Sequence, residues 1–140
     1  MPILNRIACT VKTNERFEYM SMTEEERLNR ARELAEFCIK CADEKKAVDP
    51  ALLALGRDSS IADFFVVVGA DSEPQLRALT SFIERQVREV YQLRPLSEEA
   101  DTTGGWTLLD FGDVIVHIMT PEMREKYDLE TLWGECSKRR

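Results

Sequence analysis

The uninterrupted apolar run Phe64-Phe65-Val66-Val67-Val68 constrains this chain more than any other stretch. Aromatic and β-branched residues with no polar alternation describe a strand covered on both faces, which belongs in the middle of a sheet. Such a strand needs hydrogen-bonding neighbours on both sides and an apolar layer above and below. One layer is legible nearby. Leu76, Leu79, Ile83, Val87 and Val90 recur at steps of three and four, the spacing of an amphipathic helix, with Asp71 or Ser72 as its cap and an end near Tyr91. A second helix opens at Thr23-Glu24-Glu25-Glu26, where threonine caps, Glu26 completes a capping box and acids meet the positive end of the helix dipole. It is expected to run to about Lys46, with Leu28, Ala31, Leu34, Ala35 and Cys38 as its apolar stripe.

The remaining elements are shorter. Asp49-Pro50 breaks the helical pattern, Ala51 to Leu55 reads as a strand, and Gly56 to Ser60 as a turn. Leu93-Arg94-Pro95-Leu96 starts a further strand, which proline confines to an edge, and Ser97 to Gly105 reads as a polar loop. After a hairpin, Thr120-Pro121 opens a short helix, Asp128 caps a last turn through Leu132-Trp133, and Ser137-Lys138-Arg139-Arg140 reads as a basic frayed end. The expected organisation is a poorly ordered extension over 1–22, one domain over 23–134 and a basic tail over 135–140. The fold class is α/β (α+β): a single mixed sheet of about five strands flanked by helices, the second helix crossing over between parallel strands.

Gly104 to His117 reads as that hairpin, folded back at Phe111-Gly112. A loop of those two residues sets Asp110 opposite Asp113, Leu108 opposite Ile115 and Trp106 opposite His117, all on one face. An indole, two aliphatics, an imidazole and two carboxylates on one ribbon face make a docking surface. The candidate contact residues are Trp106, Leu108, Leu109, Asp110, Phe111, Asp113, Ile115 and His117. Trp106 either anchors a partner or folds over the sheet edge to seal the core. Asp110 and Asp113 could pair with partner lysines or arginines, brace the turn, or form a metal-binding carboxylate pair. His117 reads as a strand residue that stacks on Trp106 or donates a hydrogen bond to it. Tyr127 and Trp133 read either as further contact residues or as aromatics clamping the last helix to the sheet, and Arg124 and Lys126 as exposed. Asp110-Phe111-Gly112 matches a kinase metal-binding triplet by chance, in a chain without a glycine-rich loop or catalytic loop.

Charge narrows the class of partner. With 26 acidic against 19 basic residues, the net charge of −7 repels phosphate backbones and attracts a basic protein surface. Neither direct DNA binding nor membrane insertion is expected, since no apolar run approaches a membrane span. With no secretory leader legible, a cytoplasmic location and reducing conditions follow, so Cys9, Cys38, Cys41 and Cys136 are expected as free thiols. Cys38-Ile39-Lys40-Cys41 has metal-ligand spacing, but Cys38 continues the apolar stripe, which favours core packing.

From Ser59 onward the chain resembles the ribosomal silencing factor (Iojap-like) family. The resemblance rests on Ser59-Ser60-Ile61-Ala62-Asp63-Phe64-Phe65-Val66-Val67, Ser72 with Gln75, and Leu93-Arg94-Pro95-Leu96. Gly105-Trp106, Leu108 through His117, Tyr127-Asp128-Leu129-Glu130 and Leu132-Trp133 complete it. Five stretches in the family's order, covering roughly 24–134, make the match specific. Ala54 stands where the family usually has an acid, and Arg57-Asp58 near its glycine-leucine, so nothing functional is carried onto that region. The resemblance implies a nucleotidyltransferase-like fold without the catalytic motif, no cofactor and no enzymatic activity. It implies docking on ribosomal protein number fourteen of the large subunit, which blocks joining of the small subunit and lowers translation when nutrients are scarce. The rivals are a nucleotidyltransferase-like enzyme, for which Gly69-Ala70-Asp71-Ser72 is only a distorted version of the required turn, and a large-subunit assembly factor that does not silence. An apolar docking face also allows a homodimer.

Overall fold

The computed structural model of the protein describes residues 22–55, 61–101, 104–133 and 138–139. In chain order these form α1 (Glu24–Glu44), β1 (Val48–Ala54), β2 (Phe64–Gly69), α2 (Glu73–Tyr91) and β3 (Ser97–Asp101). β4 (Trp106–Asp110), β5 (Val114–Met119), α3 (Pro121–Lys126), α4 (Leu129–Trp133) and β6 (Lys138–Arg139) follow. The strands make one mixed sheet in the order β3-β4-β5-β2-β1-β6. β2 and β5 are parallel and every residue of both is buried, as an apolar run without alternation requires. All other pairings are antiparallel. The chain passes from β2 to β5 through α2 and the β3–β4 pair, so α2 belongs to the expected crossover.

Strand alternation sorts the core into two layers. Phe64, Val66 and Val68 of β2, Val114, Val116 and Ile118 of β5, and Leu109 of β4 face α1 and α2. They meet Ala31, Leu34, Ala35 and Cys38 from α1 and Leu76, Leu79, Ile83 and Val87 from α2. On the opposite face Leu53, Phe65, Val67, Ile115 and Met119 form a smaller cluster, bordered by Trp106, Leu108, Met123 and Leu129. Short helices reach that face: α3 lies against β5 and α4 against β1.

The caps form where the residues indicate. Thr23 and Glu26 make a reciprocal capping box at α1, and the Ser72 side chain accepts from the Gln75 N–H at α2. Pro121 sits in the first turn of α3, and Asp128 accepts from the Thr131 N–H at α4. No helix among the described residues is long and apolar enough to cross a membrane.

Four expectations about elements are corrected. α1 ends at Glu44 rather than Lys46, because Lys46 turns to φ 60° and leaves the helix. β1 begins at Val48 and runs through Asp49-Pro50; the register breaks between Val48 and Ala51, with Asp49 at φ 48°, and an irregularity of that kind tolerates proline. Ser97 to Asp101 is an edge strand on β4 rather than a loop. Its exposed Glu98 and Glu99 hid the strand from hydropathy and suit an edge, where charge discourages further pairing. Lys138-Arg139 pairs with Leu53 and Leu52 instead of fraying, which makes six strands, the last of two residues. The extension over 1–21, the turn over 56–60, Cys9 and Cys136 lie outside the described residues.

Candidate functional site

The β4–β5 hairpin turns one residue later than its sequence suggests. Phe111 N–H donates to the Val114 carbonyl at 2.9 Å, so Gly112 and Asp113 form the loop. Gly112, at φ 93°, supplies the positive φ that the favoured hairpin turns need at their first loop position. Phe111 is only 3% exposed and packs in the helix-side core, a placement that a turn at Phe111-Gly112 would forfeit. The ladder therefore sets Trp106 opposite Met119, Leu108 opposite His117 and Asp110 opposite Ile115, and leaves Asp113 off it. The expected pairs Asp110–Asp113, Leu108–Ile115 and Trp106–His117 are all corrected. The slide is two residues, an even number, so Trp106, Leu108, Asp110, Ile115 and His117 still share one face.

Those residues are not equally accessible. Trp106, Leu108, Asp110 and Asp113 are half-buried. Ile115 is 6% exposed and His117 4%, so they form the buried floor of the face rather than its accessible surface. Leu109 at 0% and Phe111 point to the other side, into the α1–α2 core, and are withdrawn from the docking set. Tyr127, at 43% exposure and lying against Trp106, adds accessible apolar surface to the face.

The indole of Trp106 is held on two sides. Its Nε1–H donates to His117 Nδ1 at 3.3 Å, so the imidazole accepts this bond rather than donating it as expected. Tyr127 lies against it with ring centroids 5.1 Å apart and an angle of 41°. His117 in turn meets Phe65 edge-on, with centroids 4.6 Å apart. Burial pushes the His117 imidazole down from 6.5 to about 4, so the ring is neutral at ordinary pH. With Nδ1 accepting, the proton resides on Nε2, which is buried and has no hydrogen-bond partner among the described residues. The one ring lone pair of the neutral imidazole is thus engaged by the Trp106 N–H.

Asp110 braces the turn: its Oδ1 accepts from the Gly112 N–H at 2.8 Å. The Asp113 carbonyl accepts from the N–H groups of Asp63 and Phe64 at 2.9 and 3.1 Å, which ties the loop to the start of β2. Burial, then the nearby Glu24 charge, holds the Asp63 carboxyl above the usual carboxylate range. Asp110 pairs with Ile115 and Asp113 lies in the loop, so the two carboxylates are not cross-strand partners, and the described residues hold no group of three or more His, Cys, Asp or Glu that could hold a metal ion.

Arg124 is not the exposed cation its sequence position suggested. Its guanidinium donates to the Val48 carbonyl at 3.0 Å, the Asp49 carbonyl at 2.6 Å and Glu130 Oε1 at 2.9 Å. It thereby joins α3 and α4 to the irregular start of β1, and no local pattern foretells a contact across 76 residues. Lys126 is exposed as expected, with its ammonium 5.4 Å from the Tyr127 ring. The Trp133 side chain lies outside the described residues.

Cys38 and Cys41 are both buried in the α1–sheet layer, and burial pushes both thiols up, Cys41 to about 11. That is a packing environment rather than a reactive one. Gly69 is likewise explained by packing: a Cβ there would stand 3.0 Å from the Val48 carbonyl and 3.3 Å from the Arg124 guanidinium. A phosphate-cradling turn needs open space at that point.

Comparison with known proteins places this geometry. The family model described as "Ribosomal silencing factor during starvation" matches residues 28–140. A Halalkalibacterium halodurans protein named ribosomal silencing factor is 33% identical over 105 residues, which cover 74% of this chain and 88% of that one. The chloroplastic Iojap protein of Zea mays is 37% identical over 98 residues, 70% of this chain but 42% of its own length. A crystal structure of a Chromobacterium violaceum protein superposes with a TM-score of 0.69 at 31% identity, covering 74% of this chain and 85% of that one. The chain belongs to the ribosomal silencing factor family.

Proposed function

We propose that this protein docks on ribosomal protein number fourteen of the large ribosomal subunit and blocks joining of the small subunit, lowering translation when nutrients are scarce. The observation that carries the docking face is Trp106, a half-buried indole on the sheet face that α1 and α2 leave uncovered, flanked by half-buried Leu108 and exposed Tyr127. Tryptophan on an accessible apolar patch is the residue type that dominates binding energy at protein interfaces. Asp110 and Asp113 stand at one end of the patch, and the net charge of −7 suits a basic partner. The action is occlusion, and it calls for no nucleophile, metal or cofactor.

The test is direct. Trp106→Ala is expected to weaken binding to isolated large subunits by about 2 kcal/mol, roughly thirtyfold, and to lose inhibition of subunit joining in sucrose gradients. A loss within roughly 0.5 kcal/mol at unchanged stability would make Trp106 a core or rim residue. A second reading has its own support. A mouse relative, 27% identical over 92 residues that cover 64% of this chain and 40% of its own length, is named for mitochondrial assembly of the ribosomal large subunit. An assembly factor would bind large subunits through the same face yet leave subunit joining in the gradient unchanged.

A further inference from the structure

We propose that His117 is a positioning residue: it accepts the Trp106 indole N–H and holds that ring in the orientation in which it meets a partner. The inference rests on Trp106 being the docking anchor and concerns what presents it. Trp106 pairs with Met119 across the ladder, and His117 pairs with Leu108. The indole must therefore lean diagonally across the ribbon to reach Nδ1 at 3.3 Å, a direction that β-sheet pairing does not impose. Tyr127 closes the other side of the ring, and Phe65 braces the imidazole from behind. A half-exposed tryptophan otherwise samples several rotamers, and fixing them on binding subtracts from affinity. An anchor held beforehand avoids that loss.

The chemistry of the pair is one-sided. An indole N–H only donates, so its partner must present a bare lone pair. An imidazolium carries a proton on Nδ1 and would set donor against donor. The apolar floor of Phe65, Ile115 and Met119 disfavours that charged form and keeps the acceptor available. The Nε2–H, without a partner among the described residues, is the consequence: one buried donor is left unmet there while the bond to Trp106 is made.

Three substitutions of the full chain separate positioning from packing. His117→Asn keeps an acceptor near the place of Nδ1, His117→Gln moves the polar group toward the place of Nε2, and His117→Phe keeps the ring without any acceptor. Binding to purified large subunits is expected to fall about fivefold to tenfold for the Phe and Gln variants, the range of one hydrogen bond, and to stay within about twofold for Asn. In 15N spectra the Trp106 indole N–H, identified by its loss in Trp106→Phe, should exchange with water faster in the Phe and Gln variants and at the parent rate in Asn. Equal losses in all three variants, or an unchanged indole signal in His117→Phe, overturn the proposal. Parental binding by His117→Phe while Trp106→Ala fails to bind overturns positioning and leaves docking intact. If Trp106→Ala binds normally, the docking reading fails, and with it the role of His117 in presenting an anchor. Should His117→Phe not fold, the Asn and Gln pair carries the same test.

Discussion

His117 is the only histidine in the chain, which makes its burial measurable. Its native value is depressed to about 4 from 6.5 by loss of water. Between those values the unfolded chain takes up a proton that the folded chain refuses. Stability is therefore complete above pH 6.5 and falls as the pH falls toward 4, by up to about 1.4 kcal/mol per unit. Urea unfolding of the parent and of His117→Asn across pH 4 to 7.5 should show the difference between the two shrinking through that window. Carboxylates such as Asp63 titrate in both proteins and cancel. A constant difference would mean that the imidazole is hydrated. At Gly105 the argument is steric. Its φ is +78°, and an added Cβ would stand 2.5 Å from Thr120 Oγ1, so Gly105→Ala should lower stability by about 1–3 kcal/mol in the same assay. The glycine was visible beside Trp106 in the sequence, but its neighbour, 15 positions on, was not.

At the scale of elements, Arg124 decides where the short helices sit. Both it and Glu130 are largely shielded, with side chains 15% and 21% exposed, so their contact is screened less than a surface pair. Arg124→Leu should destabilise by roughly 2–3 kcal/mol, because two carbonyls and a carboxylate lose a charged donor. It should also loosen Tyr127 from Trp106, read as a shift in tryptophan emission. Arg124→Lys should recover little, since an ammonium cannot span the Val48 and Asp49 carbonyls and Glu130 together. The helices themselves were legible, because a capping box and steps of three and four act within a single element. β3 and β6 were not. A strand of Ser-Glu-Glu-Ala-Asp, or of Lys-Arg, is recruited by the free backbone of its neighbour, β4 or β1, and side-chain hydropathy carries no record of that.

For the whole molecule, the net charge of −7 predicts that association with a basic partner slows as salt rises. Stopped-flow mixing with the isolated basic ribosomal protein, free of RNA phosphate, from 50 to 300 mM monovalent salt should lower the on-rate severalfold while changing dissociation less. An on-rate indifferent to salt would leave the acidic field without a role. The sequence by itself determined what depends on short-range pattern: a buried central strand, two amphipathic helices, a hairpin, and a ribbon face carrying Trp106, Leu108 and Asp110. That face survived even a wrong register, because side chains alternate with period two and the error was two residues. Tertiary structure alone decided which members of the face reach solvent. Phe111 moved the turn by entering the helix-side core, Ile115 and His117 sank into the floor, and Arg124 drew α3 and α4 toward the sheet edge. Accessibility depends on what packs above a residue, and what packs there arrives from distant parts of the chain.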